Sequence, residues 1–309
     1  MYRLYIVLLA IIYATLTSAQ KINVSSGKIV RFKSFASTYV AARNVDVWLP
    51  DGYTTSKKYA VLYMHDGQML FDSTNTWLHK EWGVDETMSK LIDERKIKDC
   101  IVVGVWNGGA ERHTDYFPQK PFESLTQYQK DTLYNAHRPN KAIVFSGKVH
   151  SDNYLKFLVF ELKPFIDSAF SVLKDKANTF IAGSSMGGLI SMYAICEYPQ
   201  VYGGAACLST HWPGIFTNKN NPIPNAFLAY LSQHLPSPKD HKLYFDHGTE
   251  TLDTFYAPYQ TRANKIIKEG GYDKHHFMTK VFKGDRHDEN SWAGRLAIPL
   301  LFLLKEQYK

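Results

Sequence analysis

Residues 179–187, Thr-Phe-Ile-Ala-Gly-Ser-Ser-Met-Gly, constrain the fold more than any other stretch of this chain. A short run, residues 179–182, leads straight into Gly183-Ser184-Ser185-Met186-Gly187. An apolar helical pattern (Leu189, Ile190, Met192, Tyr193, Ile195) leaves it. A strand that turns at once into a helix is crowded, so Gly183 and Gly187 are expected where a Cβ would collide with neighbouring backbone. Such a turn sets Ser185 on the carboxyl edge of a sheet with its hydroxyl exposed. Ser185 then stands at a helix N-terminus, where free N–H groups and the dipole favour developing negative charge. In that setting the G-x-S-x-G spacing is that of a nucleophilic serine.

The rest of the pattern supplies the sheet. Residues 59–64 and 100–106 are nearly continuous apolar runs, as strands buried on both faces should be. Residues 85–92 read as a helix. Residues 153–170 carry apolar side chains at Tyr154, Leu158, Leu162, Phe165 and Ala169, a helical spacing. Strands follow at 204–208 and 243–245, then a helix at 258–268 and a strand at 277–282. A final helix starts at Ser291, with Pro299 expected to kink or restart it. Two leading segments, 28–35 and 39–49, alternate in polarity, and Pro50-Asp51-Gly52 closes the second as a turn. Strands alternating with helices predict an α/β fold: a mostly parallel sheet, helices on both faces, and an antiparallel N-terminal edge. Residues 107–148 and 210–241 lack a regular pattern and are expected to be cap or substrate loops. No repeat or linker divides residues 20–309, which read as one domain.

Composition narrows the class. With 45% hydrophobic and 21% charged residues, the chain is neither disordered nor a disulfide scaffold. The formal net charge of +7 is scattered, without the basic stripe of a nucleic-acid binder, so no nucleic-acid partner is expected. Arg3, the apolar residues 4–16 and the small residues Thr17-Ser18-Ala19 read as a secretory signal peptide cut near Ala19/Gln20. The apolar run is shorter than the ~20 residues of a membrane span. An exported protein is therefore expected, in the periplasm or the medium, with no stable membrane anchor. Cys100, Cys196 and Cys207 sit in apolar surroundings without zinc-site spacing and are expected to be buried free thiols. No metal or other cofactor is expected.

A nucleophilic serine needs a base, an acid to orient it, and oxyanion donors. His287 follows the last strand and would face the same sheet edge. The acid should follow the preceding strand. Asp246 lies within that strand, which leaves Asp253 as the favoured candidate and Glu250 as the alternative. The order Ser185…Asp253…His287 is that of an α/β-hydrolase. The N–H groups of Met186, next after the serine, and of Gln68, in the loop after the first buried strand, are the expected oxyanion donors. Gly67 would let backbone approach closely there, with His65 and Asp66 supporting the loop.

The segments Val47-Trp-Leu-Pro-Asp51, Leu62-Tyr-Met-His-Asp-Gly-Gln68, Gly183-Ser-Ser-Met-Gly-Gly188 and Gly284-Asp-Arg-His-Asp288 together resemble the putative esterase family. That family includes esterase D, feruloyl esterase modules, enterochelin-type siderophore esterases and the mycolyltransferases. The resemblance covers nearly all the chain beyond residue 19. It implies metal-free ester hydrolysis through an acyl-enzyme, with Ser185, His287, Gln68 and Met186 in the roles given above. The family's acid falls about three residues after the strand-end glycine, where this chain has Thr251; the helix at 258–268 registers better if Asp253 is the acid. Arg112, in Arg112-His-Thr-Asp115-Tyr116, resembles an arginine of a family loop and would either grip an anionic or phenolic group or pair with Asp115. Tyr116 and Trp292, with Trp106 and Trp212, are candidates for an aromatic substrate wall. The expected activity is hydrolysis of a carbohydrate acetyl or feruloyl ester, or of a siderophore lactone. Acyl transfer by the same intermediate, and a non-catalytic glycan-binding role, are the alternatives.

Overall fold

The computed structural model describes residues 22–76 and 79–305. The expected signal peptide lies outside the described residues. Eight strands form one sheet: β1 (Lys28–Phe35), β2 (Arg43–Leu49), β3 (Ala60–His65), β4 (Cys100–Val105), β5 (Thr179–Ser184), β6 (Gly204–Leu208), β7 (Lys242–His247) and β8 (Phe277–Val281), in the order β1-β2-β4-β3-β5-β6-β7-β8. The pairs β1–β2 and β2–β4 are antiparallel; every other pair is parallel. This is the α/β-hydrolase arrangement with an antiparallel N-terminal edge.

Residues alternate between the two faces, and both faces are buried. Val61, Tyr63, Ile101, Val103 and Ile181 enter one apolar layer with helices Met186–Glu197 and Ala257–Glu269. Leu62, Met64, Val102, Phe180 and Ala182 enter the other with helices Val84–Asp93, Glu289–Arg295 and Ala297–Leu304. Double coverage explains why β3 and β4 read as unbroken apolar runs. The register pairs Ser184 with Leu208, Leu208 with Asp246 and His247 with Val281. The carboxyl ends of β5 to β8 thus line one edge, and the loops carrying chemistry leave from it.

Several elements differ from the sequence pattern. The strand expected at 39–49 begins only at Arg43. Ser37 and Thr38 are instead tied to the Glu161 carboxylate, and the Ser37 hydroxyl accepts the N–H groups of Tyr39 and Val40, which turns the chain before β2. The helix expected at 153–170 is helical from Ser151 to Ala169, with a π segment, Phe157–Leu162, in its middle. Residues 107–148 fold into one-turn and two-turn helices, the longest being Gln127–Tyr134 with a capping box at Thr126 and Gln129. Helix Ile223–His234 occupies the second expected loop; Pro224 sits in its first turn, where a missing N–H costs nothing. The last helix does restart, breaking at Leu296, and Pro299 falls in the first turn of the new piece. Cys100, Cys196 and Cys207 are buried free thiols. Among the described residues no helix is long and apolar enough to cross a membrane.

Candidate active site

Ser185 joins β5 to helix Met186–Glu197 with φ 57° and ψ −120°, a conformation that an L-residue adopts only under constraint. The constraint is visible. Ser185 N donates to Leu208 O at 2.9 Å, and its carbonyl accepts from Leu189 N at 3.1 Å and His211 N at 3.2 Å. A Cβ on Gly183 would lie 2.7 Å from the carbonyl carbon of Gly187, so that position admits only glycine. Gly187 is less restricted, since a Cβ there would meet His65 Cβ at 3.3 Å. That same contact places the loop after β3 against the turn.

His287, in the loop after β8, donates through Nδ1 to Asp253 Oδ1 at 2.5 Å, and its backbone N donates to Thr251 Oγ1 at 2.9 Å. Asp253 lies in the 3-10 turn Thr251–Phe255 after β7 and is buried. Its Oδ2 accepts from Gly248 N at 2.5 Å and from Ser209 Oγ at 2.7 Å. Burial by itself would raise this carboxyl, but the hydrogen bond and charge of His287, with those of Ser209 and Gly248, outweigh it and hold Asp253 below the usual carboxylate range. Glu250, the alternative acid, is exposed at the start of the turn and does not meet His287. Thr251, third after Gly248, takes a left-handed φ of 53° and fixes the backbone of His287. Asp246 stays in β7, bonded to Arg295 Nη2 at 3.0 Å and to Tyr244 Oη at 2.9 Å.

Trp292 corrects an expectation. It is not a substrate wall: it is buried, its Nε1 donates to Ser209 Oγ at 3.1 Å, and its ring meets His287 edge-on at 5.1 Å. Ser209 Oγ also accepts from Arg295 Nη2 at 2.8 Å while donating to Asp253. One hydroxyl therefore joins helix Glu289–Arg295 to Asp253. Replacing Ser209 with Ala leaves the buried Trp292 Nε1–H without an acceptor and Arg295 Nη2 with Asp246 alone, and we expect a loss of about 2 kcal/mol of stability. Urea unfolding measures it; a loss below about 0.5 kcal/mol would mean that the network relaxes around the gap.

The loop after β3 is braced from outside. After β3, Asp66 turns with φ 57° into the 3-10 turn Gly67–Met69. Gly67 crosses the β4 backbone so closely that a Cβ would lie 2.5 Å from the carbonyl carbon of Gly104. The Asp66 carboxylate accepts from Arg112 Nε at 2.6 Å, Arg112 Nη2 at 2.8 Å and Asn107 Nδ2 at 2.6 Å; its N donates to Tyr116 Oη at 3.3 Å. Arg112 therefore pairs with Asp66 rather than Asp115, which takes Arg43 and His150 instead. Tyr116 is fully buried beneath Arg112 and is a brace, not an aromatic wall. Trp212 is likewise buried, donating to Gln260 Oε1 at 2.9 Å. Gln68 lies in the braced turn, its Oε1 accepting from Asn107 N at 3.3 Å. Met186 opens its helix, so its N–H is among those the helix cannot satisfy internally.

Two residues absent from the sequence reading of the site lie beside it. His211 donates its backbone N–H to Ser185 O, and its Nδ1 lies 2.7 Å from the Tyr256 hydroxyl. The Tyr256 ring meets His287 edge-on at 5.7 Å. Tyr256 and His211 are both buried, and His211 Nε2 has no hydrogen-bond partner among the described residues. Nothing local marks either residue in a chain with 20 tyrosines and 12 histidines.

The family model described as "Putative esterase" matches residues 37–303. The chain belongs to that family. A ferulic acid esterase of known structure is similar in fold, with a TM-score of 0.62 and 18% identity, covering 90% of this chain and 97% of that one. The Bacillus subtilis protein YbbA, described as uncharacterized, is 24% identical over 172 residues, or 55% of this chain and 58% of its own. The endo-1,4-beta-xylanase/feruloyl esterase of Xylanibacter ruminicola is 26% identical over 207 residues, 62% of this chain but 23% of its own. The chain thus spans less than two thirds of the length of either curated relative.

Proposed function

We propose that this chain is an exported serine carboxylesterase acting on carbohydrate esters of the feruloyl or acetyl type. Ser185 is the nucleophile, His287 the general base, and Asp253 the carboxylate that orients it. One observation carries the reading. The serine held in a strained turn at the end of β5 shares a sheet edge with the His287–Asp253 pair from the loops after β7 and β8. His287 takes the proton of Ser185 as Oγ attacks the ester carbonyl, then returns it to the leaving alcohol. Water activated by the same imidazole releases the acyl group. The N–H groups of Met186 and Gln68 hold the oxyanion, and each such donor contributes about 3 kcal/mol to the transition state.

Support for a carbohydrate ester comes from the feruloyl esterase relatives and from a cavity of about 260 Å³ beside Gln68. Trp106, Arg31 and Asp46 line it. Arg31 covers the Trp106 ring and is held bidentately by Asp46, so the cavity wall presents planar polar groups that suit a sugar's hydroxyls. Residues 1–19 direct export, and residues 20–309 act as one catalytic domain. Fluorophosphonate labelling of the exported protein, with the adduct mapped by mass spectrometry, should mark Ser185. A panel of acetyl, feruloyl and catecholate-lactone esters should favour the sugar-linked substrates. No adduct on folded protein would overturn the nucleophile, and preference for the lactone would overturn the substrate class.

A further inference from the structure

The two long insertions meet near Ser185, and they bring a guanidinium with them. Residues 136–144 close a tight turn: Arg138 N donates to Ala142 O at 2.7 Å, Lys141 N to Arg138 O at 2.8 Å and Val144 N to Ala136 O at 3.0 Å. Lys141 takes a left-handed φ of 67° in that turn. The Arg138 side chain lies over the ring of Phe216, from the second insertion, with Cζ 5.3 Å from the ring centroid. Phe216 in turn packs on the His211 ring at 5.6 Å, and His211 N donates to Ser185 O at 3.2 Å. We propose that Arg138 is a specificity-determining residue that binds a carboxylate on the substrate, so that the ester cleaved is one carried by an acidic, uronate-bearing sugar.

The charges around Ser185 are unevenly matched. Arg112 has its carboxylate, Asp66, at 2.6 and 2.8 Å, and His287 has Asp253 at 2.5 Å. His211 carries no charge, because burial and then the charges of His287, Arg112 and Arg138 lower it to about 3. Arg138 is the exception. Among the described residues its guanidinium makes no hydrogen bond or ion pair and rests on the Phe216 face alone. It is also half-buried. Burial, and after it the charge of Arg112, disfavour the charge of Arg138 and lower it from its ordinary value, a cost that a bound anion would offset.

The geometry suits a carboxylate. A guanidinium lying over a ring keeps its edge free, and that edge offers parallel N–H donors at the spacing of two carboxylate oxygens. The closed turn at 138–142 and the Phe216 face already restrict the side chain, so little further ordering is lost on binding. Ser185 and Phe216 are both partly exposed, whereas His211 between them is buried. A sugar whose ester reaches Ser185 therefore extends over Phe216, and a uronate on it meets the Arg138 edge. A neutral sugar leaves the guanidinium unpaired. No bond forms or breaks at Arg138, so its effect falls on binding of the acidic substrate.

This inference rests on the esterase reading of Ser185. Its test compares an O-acetylated methyl glucuronoside with the matching uronamide, which carries the same acetyl groups and no charge. Both are assayed with wild type, Arg138→Gln and Arg138→Lys, with fluorophosphonate labelling run alongside. Wild type should prefer the acid. The ratio of kcat/KM for acid over amide should fall roughly 10- to 100-fold in Arg138→Gln, chiefly through a higher KM for the acid. Arg138→Lys should keep part of the preference, since the charge stays and the planar fork is lost. Raising NaCl from about 20 mM to about 500 mM should erode the wild-type ratio. Equal turnover of the two esters by wild type, or a ratio unchanged in Arg138→Gln, would overturn the role of Arg138 while labelling of Ser185 persists. Failure of wild type to take the fluorophosphonate would instead overturn the nucleophile, and this role with it.

Discussion

Ser185→Ala should reduce ester turnover roughly 10,000- to 1,000,000-fold and leave the fold in place. The loss is large because the hydroxyl is the only atom removed, and without it neither acyl-enzyme nor proton transfer to His287 is possible. A residual rate above water is expected, since the Gln68 and Met186 N–H groups still polarise a bound carbonyl. Stability should change by less than about 1 kcal/mol. Alanine has the same Cβ at φ 57°, and the bonds that pin the turn, from Ser185 N to Leu208 O and from His211 N to Ser185 O, are made by backbone. The neighbouring Ser184→Ala is the control. Ser184 ends β5, one residue short of the turn, and its loss should leave turnover within a few-fold. Steady-state assay with thermal melting reads both quantities. A Ser185→Ala protein with more than a tenth of wild-type activity would remove this serine from the mechanism.

What could be read from sequence was whatever is local. The apolar runs of β3, β4 and β5 have one explanation, burial on both faces, and the Gly183–Gly187 turn follows from one strand meeting one helix. The position of His287 at this sheet edge was readable from its place after the last strand. The carboxylate that meets it was harder: a count of three from Gly248 reaches Thr251, and only the register of the following helix pointed to Asp253. The structure explains the offset, because Thr251 takes the left-handed turn that swings Asp253 back under the imidazole. Contacts between distant segments were not readable. Arg112 meets Asp66 across 46 residues, His211 meets Tyr256 across 45, and Trp292 reaches Ser209 across 83. No periodicity encodes such pairings. Aromatic residues suggested a substrate wall at Tyr116 and Trp292 by type alone, and burial beside Arg112 and His287 makes them supports.

Asp253→Asn should cost about 10,000-fold in turnover while leaving most of the stability intact, and the hydrogen bonds say why. In the wild type Oδ2 receives two donors, Gly248 N–H and Ser209 O–H, and Oδ1 receives one, from His287. An asparagine can keep both donors of the Oδ2 position only by placing its carbonyl oxygen there. Its NH₂ then faces His287, whose Nδ1 must become an acceptor. The ring proton moves to Nε2, the tautomer that cannot take a proton from Ser185. The sign of the pH dependence is set by the lowered pKa of Asp253. A carboxyl depressed in the folded state contributes stability that is complete above its unfolded value of about 3.9 and is lost as pH falls through its folded value. Asparagine has no such contribution to lose. The difference in urea midpoint between wild type and Asp253→Asn should therefore shrink as the pH is lowered from 5 towards 3. Glu250→Gln, at an exposed position away from His287, should keep turnover within about 2-fold at neutral pH. If instead Asp253→Asn retained a tenth of wild-type activity and Glu250→Gln abolished it, the imidazole would be oriented by the exposed carboxylate, and the loop after β7 would have to refold when substrate binds.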